Sequence, residues 1–103
     1  MSRRAAKVDA NQPEIVAYFK ACGWSVESTA GVGDGFPDIE VGKGGVNINI
    51  EIKDGPKKKL RPSQDDWHKA WQGTAVVMRS LDDVQRLMDN YIPIAAELEK
   101  LIE

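Results

Sequence analysis

The chain has 103 residues, 42% of them apolar and 29% charged, with a net charge of −2. That length holds one domain with one modest core, and the apolar content is too high for a disordered chain. No apolar run approaches the roughly 20 residues of a membrane span, and Cys22, the single cysteine, excludes an internal disulfide and a cysteine-built zinc site.

Residues 1–7 are basic but lack the apolar segment of a secretory signal, so the sequence reads as a cytoplasmic protein. A first helix is predicted over residues 12–22. Asn11 stands at its cap, Pro13 in its first turn, and Gly23 ends it. Residues 24–29 read as a strand, 31–35 as a glycine-rich loop, and 36–41 as a second strand. Residues 42–45, Gly-Lys-Gly-Gly, signal a turn. The clearest strand follows at 46–53, where Val46, Ile48, Ile50 and Ile52 alternate with Asn47, Asn49, Glu51 and Lys53. A basic loop covers 54–61, and Pro62 opens a second helix that ends near Gly73. A fourth strand is predicted over 74–79. Ser80 then caps a third helix, with Asp83 completing a capping box. Pro93 interrupts that helix before an amphipathic stretch to about Ile102. The order α-β-β-β-α-β-α predicts an α/β domain: a mixed central sheet flanked by helices, with a C-terminal helix.

The charge is unevenly placed. Arg3, Arg4 and Lys7 lie near the start, and Lys57, Lys58, Lys59 and Arg61 fall within one short loop. The acidic tail, with Asp82, Asp83, Asp89, Glu97, Glu99 and Glu103, hides these clusters in the total. A lysine run by itself reads equally as a solvated loop.

The hairpin between the second and third strands gathers the chemistry. With residues 42–45 as the turn, Val41 faces Val46 and Asp38 faces Asn49. Glu51 then lies two positions further along the same face. Diagonal neighbours of this kind sit about 7–8 Å apart at Cα, so both carboxylates can reach one cation. Lys53 projects from the same face, while Ile39, Val41, Ile48, Ile50 and Ile52 project from the other. Two carboxylates and a lysine suit phosphodiester hydrolysis. Hard oxygen ligands fit Mg²⁺, which keeps waters and binds substrate phosphate. A lysine beside it can hold the attacking water or stabilise the pentavalent transition state. The competing reading is a surface ion pair, worth about 0–1 kcal/mol.

Pro37-Asp38, followed after a hairpin by Glu51-Ile52-Lys53, resembles the signature of the PD-(D/E)xK nuclease superfamily, whose core has the same α-β-β-β-α-β order. More narrowly, the chain resembles a stand-alone VRR-NUC domain of the kind found in phages and prophages. Asn11-Gln12-Pro13-Glu14, Gly35-Phe36-Pro37-Asp38, Glu51-Ile52-Lys53 and Pro62-Ser63-Gln64 carry the likeness, which spans roughly residues 9–88. The resemblance implies one restriction-endonuclease-like nuclease domain over residues 1–103, with a C-terminal helical extension at about 89–103. It implies Asp38, Glu51 and Glu14 as metal ligands, Lys53 as the catalytic lysine, and Gln64 near the metal or the scissile phosphate. Mg²⁺ would be the cofactor, with Mn²⁺ able to substitute. The partner would be DNA, branched as in a four-way junction, cut by a homodimer. Lys57, Lys58, Lys59 and Arg61 would meet its phosphates. The Val-Arg-Arg motif that names the family is absent; Val77-Met78-Arg79-Ser80 keeps one arginine. A DNA-binding or protein-interaction module of the same fold, without catalysis, is the alternative.

Other residues carry weaker signals. Glu40 and Asp34 read as solvated acids near Asp38, and Thr29 as a residue near the substrate backbone. Trp67 and Trp71 are expected in the core rather than stacked on bases, and His68 in a structural role. The stripe of Ile94, Ala95, Leu98, Leu101 and Ile102 must be covered, either by the chain's own sheet or by a second subunit.

Overall fold

In the computed structural model, which describes residues 9–91, the elements follow the expected order. They are α1 (Gln12–Ala21), β1 (Ser25–Ser28), β2 (Ile39–Lys43), β3 (Val46–Ile52), α2 (Pro62–Ala70), β4 (Ala75–Met78) and α3 (Leu81–Asn90). The basic residues at 3, 4 and 7, Pro93, and the apolar stripe at 94–102 lie outside the described residues. The strands form one sheet in the order β1-β2-β3-β4. Its first two junctions are antiparallel. The third is parallel, because α2 carries the chain back to the starting end of the sheet. Among the described residues, no helix is long and apolar enough to cross a membrane.

The register of the β2–β3 hairpin corrects the sequence reading. Gly42 stays in the strand opposite Asn47, and Lys43 faces Val46. The turn is therefore only Gly44-Gly45, both with positive φ (61° and 82°), as a two-residue type I′ turn requires. Val41 faces Ile48 rather than Val46, a shift of two residues. A two-residue shift keeps every side chain on its own face, whereas one residue would reverse them all. Ile39, Val41, Ile48, Ile50 and Ile52 accordingly form one buried face, packed with Ile15 and Phe19 of α1, Trp24, Met78 of β4 and Val84 of α3.

Two helix starts differ from expectation in an informative way. Asn11 makes no cap bond to α1. Its side-chain amide instead donates to the carbonyls of Lys53 and Arg79, each at 3.2 Å, and ties the start of α1 to the ends of β3 and β4. At α3, Ser80 Oγ accepts from the Asp83 N–H as expected, but the Asp83 carboxylate accepts from the Arg79 N–H, one residue before the cap. The last turn of β4 is thereby fixed to α3.

Candidate active site

The polar face of the sheet carries the site, and the hydrogen-bond ladder ends where it begins. Asp38 lies just ahead of β2. Its N–H donates to Ile50 O at 3.0 Å, and its Oδ2 accepts from the Ile52 N–H at 2.7 Å. Thr29 braces the same turn: its N–H donates to Asp38 O at 2.9 Å and its hydroxyl to Pro37 O at 2.7 Å. The Thr29 hydroxyl is thus held by the chain itself. With Ile39 opposite Ile50, Asp38 comes beside Glu51 instead of Asn49. The two carboxylates are closer neighbours than the diagonal arrangement expected from sequence.

Glu51, Lys53 and Gln64 are all buried, at 2%, 8% and 4% exposure. Gln64 reaches them from the first turn of α2. Its Oε1 accepts from Lys53 Nζ at 2.8 Å and from the Arg61 N–H at 2.8 Å. Its Nε2 donates to Glu51 Oε2 at 2.9 Å. Two donors on one end of the amide fix which end is oxygen. The bond from the Arg61 N–H also satisfies the start of α2, half of a capping box; a guanidinium has no acceptor with which to return the other half. Lys53 Nζ stands 3.7 Å from Glu51 Oε2. Glu51 Oε1 is buried with no hydrogen-bond partner.

The electrostatics follow from this burial. Loss of solvent pushes the Glu51 carboxyl up to about 8, reinforced by the charge and hydrogen bond of Asp38 and only partly offset by Lys53 and Arg61. Asp38 is also raised, first by burial and then by Asp9, against the lowering effects of the Ile52 N–H, Glu51 and Lys53. Burial and the neighbouring carboxylate thus both favour the protonated form of Glu51.

The pair opens into a cleft of about 960 Å³. Lys58, Lys59 and Arg61 line it, along with Lys53 and Gln64. Lys57 is exposed but does not line it. Arg79 donates from its guanidinium to the carbonyls of Gly55 and Lys58, so it fixes the basic loop. Arg79 is thus a brace for that loop. Three consecutive residues that line the cleft, Gly33, Asp34 and Gly35, have positive φ. A Cβ on Gly35 would lie 2.2 Å from Ser63 O, so the loop touches the backbone of α2.

Glu14 is a correction. It is exposed in the first turn of α1 and does not line the cleft. Asp9 takes the place beside the pair: it lines the cleft, raises Asp38, and pairs with Lys58 at 3.2 Å. Asp9 carries no local signal in the sequence: it is a lone acid next to the basic residues at 3, 4 and 7. The signal was Asn11, whose tether to Lys53 O and Arg79 O brings nearby Asp9 to the cleft. Glu40 does not line the cleft, while Asp34 does and is exposed. Trp67 and Trp71 are also corrected, since neither belongs to the core. Only Gln64 of α2 is buried; along the same stripe Trp67 is half-buried and Trp71 is exposed.

Among the described residues, no three or more His, Cys, Asp or Glu side chains come together as a complete metal cage. Asp38 and Glu51, side by side at the floor of the cleft, are the residues that could hold a hard cation, one that keeps most of its waters. Mg²⁺ is such a cation. No protein-family model matches the chain, and neither a curated protein nor a solved structure matches it.

Proposed function

We propose that the chain is a metal-dependent nuclease that hydrolyses phosphodiester bonds in DNA. The observation that carries this reading is the Asp38–Glu51 pair joined to Lys53 through Gln64 at the floor of a cleft lined by Lys58, Lys59 and Arg61. A surface ion pair would not bury Glu51, Lys53 and Gln64 together beside a second carboxylate at the floor of a basic cleft. The resemblance to PD-(D/E)xK nucleases, and to VRR-NUC domains within them, supports the same reading. It extends it to branched DNA and to a homodimer.

Asp38 and Glu51 would hold Mg²⁺, or Mn²⁺ in its place. Bound there, the ion would lower the pKa of a water and offset charge on the phosphate. Cation binding would favour the ionised form of both carboxylates. Lys53 Nζ, held by Gln64 beside Glu51, orients the attacking water and faces the charge that develops on the phosphorus oxygens. Lys58, Lys59 and Arg61 hold flanking phosphates and so set the strand across the cleft. Water attack in line with the leaving 3′ oxygen gives a 5′ phosphate. Incubation of the purified chain with plasmid and branched DNA tests this. Cutting with Mg²⁺ or Mn²⁺ that stops in chelator is expected; a folded chain that cuts neither DNA with either ion overturns the proposal.

A further inference from the structure

The face of α2 that brings Gln64 into the site continues outward as an aromatic surface. Gln64, Trp67 and Trp71 follow at spacings of three and four residues, so they share one helical stripe. The rings of Trp67 and Trp71 stack, with centroids 4.7 Å apart and planes at 17°. Phe36 meets both edge-on, at 5.1 Å and 6.3 Å, and also lines the cleft two residues before Asp38. The contact of Gly35 with Ser63 and Gln64 holds this loop against α2. None of the three rings joins the core, and Trp71 is 43% exposed. A packing role would bury Trp71. Phe36 lines the charged cleft, and the stacked Trp67–Trp71 pair continues from it with Trp71 left open, an arrangement suited to recognition.

Seven residues at 1.5 Å each separate Gln64 from Trp71, about 10 Å along the helix. That is the span of about three stacked nucleotides. Resting on the reading of the cleft as the site of phosphodiester hydrolysis, we infer that Phe36, Trp67 and Trp71 form a stacking ledge for an unpaired nucleobase close to the cut. Paired bases turn their faces to their neighbours in the duplex, so a ledge of this kind selects DNA with unpaired nucleotides beside the scissile bond. Every base has a π face, so the selection is for structure and not for sequence. The cleft's basic residues supply the attraction for the backbone that the rings lack.

Anisotropy of a labelled splayed-arm DNA and of a fully paired duplex of equal length, both in chelator, tests the ledge without cutting. The chain is expected to bind the splayed DNA more tightly, with its tryptophan emission quenched. Trp71→Ala should lose about 5- to 100-fold on the splayed DNA and little on the duplex, and Trp71→Phe should recover most of the loss. Equal affinity of the parent chain for the two DNAs, or an unchanged affinity in Trp71→Ala, overturns the ledge. So does a dimer that Trp71→Ala separates while splayed-DNA affinity stays intact, because the rings would then join two copies of the chain. Cutting of the same DNAs with Mg²⁺ is scored separately. Trp71-dependent binding without cutting overturns the nuclease reading and leaves the ledge; cutting without Trp71-dependent binding does the reverse.

Discussion

Gln64 accepts a 2.8 Å hydrogen bond from Lys53 Nζ and, through the other end of the same amide, donates one of 2.9 Å to Glu51. One neutral side chain thus sets the position of both charged groups. Gln64→Ala would leave the Lys53 ammonium, the Glu51 carboxylate and the Arg61 N–H without this partner. Each buried group left unsatisfied costs about 1–3 kcal/mol, so a clear drop in melting temperature is expected. Steady-state kinetics should show kcat reduced at least tenfold with KM changed less. A parental kcat would show that Lys53 needs no such support.

The raised acids make stability depend on pH in a definite direction. Glu51 ionises near 4.5 when unfolded and near 8 in the fold. Its contribution to stability is full below about 4.5, declines as pH rises between these values, and is lost above about 8. Urea unfolding in chelator should therefore give a lower midpoint at pH 8 than at pH 5. Glu51→Gln should flatten the profile and be more stable than the parent at pH 8. Addition of Mg²⁺ should recover the parent's stability there, because a cation favours the ionised pair. A midpoint that rises from pH 5 to pH 8 in chelator would exclude this assignment of Glu51.

Two glycines separate backbone freedom from close approach. Gly33 and Gly35 have nearly the same φ, +82° and +83°, but only Gly35 has backbone where a Cβ would stand. Gly33→Ala should cost about 1–2 kcal/mol, the ordinary price of a left-handed alanine. Gly35→Ala adds overlap with Ser63, about 1–3 kcal/mol more. Calorimetry should place Gly35→Ala well below Gly33→Ala. Equal melting temperatures would mean that the loop does not lean on α2.

Strand alternation is enough to assemble Asp38, Glu51 and Lys53. A register error of two residues leaves parity intact, and the apolar residues between them have one place to go. The reading of residues 42–45 as the turn errs because Gly42 looks like turn chemistry but serves as a strand position against Asn47. Positions that depend on how helices dock are less legible. Helical spacing groups Gln64 with Trp67 and Trp71, but it does not say whether an amide or a ring meets the sheet. Glu14 has favourable local chemistry, yet the tether from Asn11 brings Asp9 to the cleft instead. Arg79 has the charge for phosphate and is held by two loop carbonyls, a tertiary fact with no local signature.

The basic loop should divide by position. Lys59 and Arg61 line the cleft and Lys57 does not. Removal of Lys59 should weaken DNA binding and reduce the slope of log affinity against log salt by about 1. Lys57→Ala should change both much less. Fluorescence titrations across a range of salt concentrations decide this. Equal slopes for the two variants would show that the loop meets DNA as an undifferentiated patch.

Cleavage by Lys53→Ala beside the parent chain tests the central claim most directly, with circular dichroism to establish that both are folded. The assay uses branched and linear DNA with Mg²⁺, Mn²⁺ or chelator. Expected is metal-dependent cutting by the parent and a loss of at least a hundredfold in Lys53→Ala, with DNA binding largely kept. A folded Lys53→Ala that cuts at the parental rate would contradict the role assigned to Asp38, Glu51 and Lys53 as one reaction centre.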